Sequence, residues 1–254
     1  MTRAKGNGKM ERALESTELH YVHERDLDLR HNEVYLGGVD RGYELGPEGT
    51  EPGVDFVMAN RFTKNLNLAQ LTNKGIPLLI HMSTCGGDWN FGMQIYDAIK
   101  ASKSHPVTII NYTHARSMSS LILQAADWRV MMPHSHFMFH DGSFGDSGTV
   151  KEVRSGFEFY DKVGGSTMLR IYAEQMQRKG EMAGKSFKKI ETWLRKKMDK
   201  HENVYLTAEE AIRWGFADEI FQGWEHYRDN RTNLPKIPTK LKVKVKKNSS
   251  RARR

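Results

Sequence analysis

The sequence predicts an α/β fold in which a mostly parallel sheet is flanked by helices. Two observations carry this prediction. Apolar runs of strand length alternate with helical patterns between residues 32 and 139. In addition, the run 76–82 is followed by a glycine turn and then directly by an amphipathic helix. This order is typical of a right-handed crossover between parallel strands.

The first half of the chain supplies the predicted sheet. Residues 32–38 are expected to form a strand, and a glycine- and proline-rich loop follows over 39–53. A helix then presents one apolar face, made by Met58, Phe62, Leu66 and Ala69. The next strands are predicted at 76–82, 105–112, 128–132 and 135–141, with a helix over 89–102 that places Ile95, Ala98 and Ile99 on one side.

Beyond residue 148 the pattern is helical. Apolar side chains fall on one face over 150–160, and the pair Gly164-Gly165 predicts a kink or break before the next helix. Residues 186–200 make another amphipathic helix. Thr207, with a glutamate three residues later at Glu210, predicts a capping box at the start of a further helix.

Length and charge predict one domain with tails. We divide the 254 residues into a partly flexible N-terminal segment (1–31), a domain (32–224) and a basic tail (225–254). The formal charge is +8, but residues 236–254 hold nine Lys/Arg and no acid, so the rest of the chain is nearly neutral. The basic character therefore belongs to the tail, which argues against specific nucleic-acid binding.

The chain has one cysteine, Cys85, and no run of eighteen apolar residues. An internal disulfide framework and a zinc site of several thiolates are excluded, and a reducing compartment is favoured. We expect a cytoplasmic protein without a membrane span.

Ser117 lies between an apolar strand and the helical stretch that begins at Met118. A hydroxyl there meets backbone N–H groups that stabilise an oxyanion, but a serine there is also an ordinary helix cap, and this stretch alone leaves both interpretations open. Further on, strand alternation puts His140 on the face opposite Phe137 and Phe139. His140 is then able to face a cleft while the phenylalanines pack.

Four segments in order carry a resemblance to a known family. They are "MSTCGG" (82–87), "ARSMSS" (115–120), "SHFMFHDG" (135–142) and "LTAEEAIRWGFAD" (206–218). Together they make the sequence resemble the proteolytic subunit of the Clp protease family. The resemblance implies the fold that this family shares with crotonases, with a projecting helical handle after residue 148.

The resemblance also implies a serine endopeptidase. Ser117 corresponds to the nucleophile and His140 to the general base, and the backbone N–H groups of Gly87 and Met118 correspond to the oxyanion hole. It implies two stacked heptameric rings acting on unfolded proteins, fed by a hexameric AAA+ ATPase, with no metal or organic cofactor. No G-x-x-x-x-G-K-[ST] motif occurs in the sequence, so any ATP dependence comes from a partner.

The third member of the triad departs from the family pattern. The family's aspartate corresponds to Asn203, which accepts a hydrogen bond from histidine but carries no charge. In serine proteases an Asp-to-Asn change in this role costs roughly 10⁴ in turnover. Asp199 ranks second for this role, and Glu202 is a further substitute.

Other departures leave alternatives open. Cys85 stands where proline is usual, Arg116 and Ser119 flank the nucleophile, and Asp141-Gly142 replaces Gln-Pro. Ser119 is a rival hydroxyl, while residues 142–149 are either a peptide-pairing segment or an ordinary loop. The alternatives are a catalytically silent ring subunit and a crotonase-type acyl-CoA enzyme. The divergence also raises the hypothesis of a phage or mobile-element source.

Overall fold

A computed structural model describes Val22, residues 24–37 and residues 53–228. Its strands are Leu27–Asp28 (β1), Glu33–Leu36 (β2), Leu78–Thr84 (β3), Val107–Arg116 (β4), Trp128–Met131 (β5), His136–Phe139 (β6), Val204–Thr207 (β7) and Glu219–Ile220 (β8). Its helices are Phe56–Thr72 (α1), Trp89–Ala101 (α2), Met118–Leu123 (α3), Val150–Tyr160 (α4), Ser166–Arg178 (α5), Phe187–His201 (α6), Ala208–Trp214 (α7) and Trp224–Arg228 (α8). No helix in these ranges is long and apolar enough to cross a bilayer.

The sheet is mostly parallel, as predicted, and it forks at β4. Within the described residues its order is β1-β2-β3-β4-β5-β8, and β6 pairs with both β4 and β7. The first part of β4 pairs with β5 over Thr108–Asn111, whereas its last three residues, His114–Arg116, pair with β6. The fork places the ends of β4 and β6 side by side.

Helices cover both faces of the sheet to different extents. The larger core lies under α1, α2, α3, α5 and α6, and it buries the predicted stripe of Met58, Phe62, Leu66 and Ala69. The opposite face carries a small cluster in which Tyr227 of α8 packs with Leu79, Ile110 and Val130. This arrangement confirms the predicted α/β class.

Two predicted boundaries were wrong. The strand predicted over 105–112 continues to Arg116, and the helix after Ser117 ends at Leu123 instead of spanning the whole apolar stretch. The backbone of β4 is hydrogen-bonded on both sides by β3 and β6, so its polar side chains do not end it. As a result, Ser117 lies directly between a strand and a short helix.

The second half of the chain is helical, as predicted. The predicted break at Gly164-Gly165 is a π-helical turn over Asp161–Gly165, and the capping box of Thr207 and Glu210 is present. Helix α4 has no buried residue and leaves Val150 74% exposed, as expected for a projecting handle. Residues 142–149 form no strand.

The predicted N-terminal segment up to residue 21, most of the loop 39–53 and the tail from 229 lie outside the described residues.

Candidate active site

Ser117 occupies a sharp turn between β4 and α3. Its φ is +52° and its ψ is −127°, a backbone conformation that non-glycine residues rarely adopt. Strain of this kind costs about 1–3 kcal/mol and persists only where the surroundings impose it. The Ser117 N–H donates to the carbonyl of Met138 at 3.1 Å, which ties the turn to β6.

Gly86 lets another backbone segment approach this turn closely. A Cβ atom built on Gly86 would lie 2.6 Å from the carbonyl oxygen of Arg116 and 2.8 Å from the nitrogen of Met118. Any side chain at this position would therefore push the turn away. Gly86, in the predicted glycine turn, thus packs directly against the turn that carries Ser117.

His140 lies one residue beyond the end of β6, beside Ser117. Its Nε2 is 2.8 Å from the hydroxyl oxygen of Ser117, a hydrogen-bonding distance, and both residues are partly exposed. As predicted from strand alternation, Phe137 and Phe139 point the other way and are fully buried. The fork at β4 thus brings the predicted nucleophile and the predicted base into contact across 23 residues of sequence.

Asn203 reaches His140 through the antiparallel pairing of β6 and β7. Phe139 is paired with Val204, so the preceding residue, Asn203, lies opposite His140. Burial lowers the pKa of His140. A hydrogen bond that the imidazole donates to the Asn203 side chain, together with the charges of Asp141 and Glu202, opposes that shift. The net effect is a lowered pKa, so the imidazole is neutral at neutral pH and is able to accept a proton.

Asp199, the second choice for the third position, lies in α6. It lines, together with His140, a cavity of about 670 Å³ to which Ser117 does not contribute. The acidic groups that act on the pKa of His140 are Asp141 and Glu202. The geometry therefore brings Asn203 to His140 and leaves Asp199 at the rim of the neighbouring cavity.

Gly87 and Met118 both face the cavity that Ser117 and His140 line. Gly87 forms a parallel bridge with Val54. In this bridge the Val54 N–H donates to the carbonyl of Gly86, and the Asp88 N–H donates to the carbonyl of Val54. The N–H of Gly87 itself is therefore turned away from Val54. Met118 is the first residue of α3, and its N–H has no acceptor within that helix. Both predicted donors are thus in the neighbourhood of Ser117.

The cavity beside Ser117 has a volume of about 610 Å³ and a wall that mixes aromatic, aliphatic and polar groups. Its apolar and aromatic lining comprises Trp89, Met118, Leu121, Phe144, Phe159, Tyr160, Val163, Met168 and Tyr172. The glycine-rich segment 142–145 forms part of its rim. Such a space fits a large apolar side chain of a peptide, with its backbone running along the rim.

Ser119, the rival hydroxyl, is fully buried and has partners. Its Oγ donates to the carbonyl of Arg116 at 2.8 Å and accepts from the Arg116 N–H at 2.9 Å. Ser120 is also fully buried, and its Oγ donates to the carbonyl of Ser117 at 2.6 Å. Of the three serines, only Ser117 combines exposure to the cavity with contact to a histidine. The sequence did not predict these contacts, because Ser119 and Ser120 look there like ordinary serines of a helix.

No group of three or more potential metal ligands occurs among residues 24–37 and 53–228. Comparison with known protein families gives a match: the family model of Clp protease matches residues 50–223 of this chain. The chain belongs to the Clp protease family. This membership favours the peptidase interpretation over the crotonase-type acyl-CoA enzyme.

Relatives of known name are similar over most of the chain. The chain is 31% identical over 185 residues to ATP-dependent Clp protease proteolytic subunit 2 of Prochlorococcus marinus (strain MIT 9312), covering 72% of this chain and 82% of the relative. It is 30% identical to proteolytic subunit 3 of Synechococcus sp. (strain CC9605), covering 72% and 83%. It is 31% identical to proteolytic subunit 1 of Protochlamydia amoebophila (strain UWE25), covering 68% and 78%. In the Clp protease family, this chain is a divergent member.

Proposed function

We propose that this chain is a serine endopeptidase of the Clp type that hydrolyses peptide bonds of unfolded proteins. The observation that carries the proposal is the 2.8 Å contact between His140 Nε2 and Ser117 Oγ in the wall of a cavity that also carries aromatic side chains. A strained serine, a neutral histidine and a cavity between them are the parts that acyl transfer requires.

In this mechanism Ser117 Oγ attacks the substrate carbonyl carbon while His140 Nε2 takes the hydroxyl proton. The N–H groups of Gly87 and Met118 receive the negative charge that develops on the carbonyl oxygen. His140 then passes the proton to the leaving amine, and the acyl-enzyme is hydrolysed by water that His140 deprotonates. Asn203 orients the imidazole as a hydrogen-bond acceptor but adds no charge.

The assembly is part of the proposal. We propose homo-oligomeric rings, seven subunits in each and two rings stacked, together with an AAA+ ATPase that supplies unfolded substrate. Helix α4 exposes two phenylalanines, Phe157 at 53% and Phe159 at 66%. This exposed apolar face supports an assembly in which these side chains are covered. The single cysteine supports a cytoplasmic location.

The test is fluorophosphonate labelling of the assembled protein, read by intact mass and peptide mapping. We expect one adduct, on Ser117, which is lost in Ser117→Ala and kept in the matched control Ser135→Ala. Unlabelled samples of the same proteins are given an unstructured fluorescent polypeptide, which wild type and Ser135→Ala should cleave and Ser117→Ala should not. An adduct on Ser119, or none on any serine, would contradict the assignment.

Asn203 favours one second candidate, a catalytically silent ring subunit. Without a charged third member, turnover falls by roughly 10⁴ in other serine proteases, which is enough to leave a subunit with a structural role only. Sedimentation that shows rings, combined with no labelling of Ser117, would select this candidate. Labelling in a protein that sediments only as monomers would instead contradict the ring assembly.

A further inference from the structure

Two buried hydroxyl groups connect helix α5 to the turn that carries Ser117. Ser120 Oγ lies 2.6 Å from the carbonyl oxygen of Ser117 and 2.6 Å from the hydroxyl oxygen of Tyr172. The Ser117 carbonyl is only an acceptor, so the Ser120 proton goes to it. Tyr172 must then donate its own proton to Ser120. The result is a directed relay from Tyr172 through Ser120 to Ser117.

The hydrogen bond from Ser120 restrains the ψ angle of Ser117, which is part of its unusual backbone conformation. The direction of a carbonyl follows the ψ of its own residue, so a hydrogen bond to the Ser117 carbonyl holds ψ at −127°. On the other side of the residue, the bond from the Ser117 N–H to Met138 holds the preceding peptide. The Ser117 carbonyl also accepts the backbone N–H of Ser120 at 3.1 Å. Together these bonds hold the strained conformation and thereby the direction of the hydroxyl.

Tyr172 is itself held firmly. It is 1% exposed, and its ring packs against Phe137 and Phe139 at centroid distances of 6.2 and 5.9 Å. These phenylalanines belong to β6, the strand that leads into His140. Burial raises the pKa of the Tyr172 phenol, so it remains a donor over the accessible pH range. One side chain thus contacts the supports of both Ser117 and His140.

We propose that Ser120 and Tyr172 are positioning residues, which hold the Ser117 backbone so that its hydroxyl points at His140. This inference rests on the proposed function, because it concerns the reactivity of Ser117. Neither residue transfers a proton to the substrate. Their removal lets the turn relax toward an unstrained conformation, in which the hydroxyl is displaced from the imidazole. Misplacement by about 1 Å costs on the order of a hundredfold in rate.

The experiment separates reactivity from binding and from stability. Fluorophosphonate inactivation of the assembled protein is measured for wild type, Ser120→Ala, Tyr172→Phe and the double variant, giving kinact and KI for each at a temperature well below unfolding. We expect kinact to fall about tenfold or more in Ser120→Ala and severalfold in Tyr172→Phe, with KI unchanged. Because Tyr172 acts through Ser120, the double variant should equal Ser120→Ala alone.

Two matched controls lose the same kinds of bond elsewhere. Tyr227 is also 1% exposed, and its hydroxyl donates to Glu219 at 2.7 Å on the opposite face of the sheet. Ser135 donates to the carbonyl three residues before it at 2.8 Å, as Ser120 does. Tyr227→Phe and Ser135→Ala should lower the melting temperature comparably while kinact stays within about twofold of wild type.

The outcomes are distinct. If wild type is labelled but Ser120→Ala and Tyr172→Phe react like the controls, the positioning role is wrong and the peptidase assignment stands. Independent, multiplicative effects in the double variant would also overturn the relay. If wild type is not labelled at all, the proposed function fails and the positioning role fails with it. Should Ser120→Ala not fold, Tyr172→Phe, which removes only an oxygen atom, still decides between these outcomes.

Discussion

Among the described residues, His140 and His81 each lie between a hydroxyl and a side chain that accepts a hydrogen bond, and His140 belongs to the candidate active site. His140 contacts Ser117 at 2.8 Å and has the neutral Asn203 as its other partner. His81 contacts the Tyr112 hydroxyl at 2.7 Å through Nδ1 and the Glu33 carboxylate at 2.8 Å through Nε2. By partners alone, His81 has the more complete set.

The surroundings of the two histidines differ. His81 is 3% exposed and stacks on Tyr35 with ring centroids 4.3 Å apart, and Glu33 is also bound by Arg228 of α8 at 3.0 Å. Burial and the charge of Glu33 raise the pKa of Tyr112, which makes its phenol a poor nucleophile. His140, in contrast, is half-buried at a cavity and faces a strained serine. Access and strain therefore mark a reaction centre better than a complete set of partners.

Removing each imidazole should give opposite results, and this is the largest expected effect. His140→Ala should lower the rate of Ser117 labelling by roughly 10³-fold or more, because the general base is lost, with little change in stability. His81→Ala should leave labelling within a few-fold of wild type at 25 °C but lower the unfolding free energy by about 3 kcal/mol, because Glu33 loses a buried partner.

Labelling rate and denaturant unfolding are measured on both variants at one fixed protomer concentration, since an oligomer's stability depends on it. A loss of labelling in folded His81→Ala, or normal labelling in His140→Ala, would reverse the roles given to the two histidines.

The carboxylate of Glu33 should make stability depend on pH, which is the next largest effect. His81 and Arg228 bind the ionised form and outweigh the cost of burial, so the pKa of Glu33 is lowered to about 2 from its usual 4.5. A lowered pKa stabilises the fold above pH 4.5, and this stabilisation is lost as pH falls from 4.5 toward 2. The contribution is about 3 kcal/mol, at 1.36 kcal/mol for each pH unit.

Glu33→Gln should therefore be less stable than wild type at pH 7, and the difference should shrink as pH falls. Urea unfolding from pH 7 to pH 3 measures this. Glu158→Gln, on the exposed helix α4, is the control and should keep the wild-type slope. A constant difference across the range would show that Glu33 acts through packing and not through its charge.

The sequence predicted the two regions unequally, for physical reasons. Apolar periodicity located the strands and helices, and the order of four motifs located Ser117 and His140. His81, however, is one polar residue inside the apolar run of β3. The sequence around it does not predict that Glu33 and Tyr112, on the two adjacent strands, lie beside it. Side-chain pairs across a parallel sheet depend on register, which periodicity does not determine.

The same limit explains the features missed at the active site. Ser120 and Tyr172 are 52 residues apart, and their contact follows from how α5 packs against α3. Asn203 could be placed by counting from the family motif, but its position opposite His140 depends on the pairing of β6 with β7. The length of β4 was underestimated because its last residues are polar, although backbone pairing on both sides sustains the strand.

Giving His140 a charged partner should bring it closer to the pattern of His81. Asn203→Asp should raise the labelling rate about tenfold, less than the roughly 10⁴ seen for the charge in buried triads, because this position is exposed and screened. The new charge should raise the pKa of His140, so the acidic limb of the pH profile moves to higher pH. Asn203→Ala is the control and should react more slowly than wild type.

If Asn203→Asp changes neither rate nor pH profile while Asp199→Asn abolishes labelling, the third position belongs to Asp199. That result would require α6 to move toward the imidazole in the assembled protein, because Asp199 lines the cavity beyond His140 in this chain. The two substitutions thus decide between the two choices that the sequence left open.

The smallest expected effect concerns the charges that stand near His140 without bonding to it. Asp141 and Glu202 both raise the pKa of His140, Asp141 more than Glu202, and burial lowers it overall. Asp141→Asn should therefore move the acidic limb of the labelling profile to lower pH, and Glu202→Gln should do so by less. Both charges are exposed, so 1 M salt should shift the wild-type profile the same way and remove the difference between the variants. A shift toward higher pH in Asp141→Asn, or a shift that salt does not affect, would mean that Asp141 orders the segment after His140 instead of acting by its charge. The comparison between a screened charge near His140 and the directly bonded carboxylate of Glu33 near His81 would then no longer be an electrostatic one.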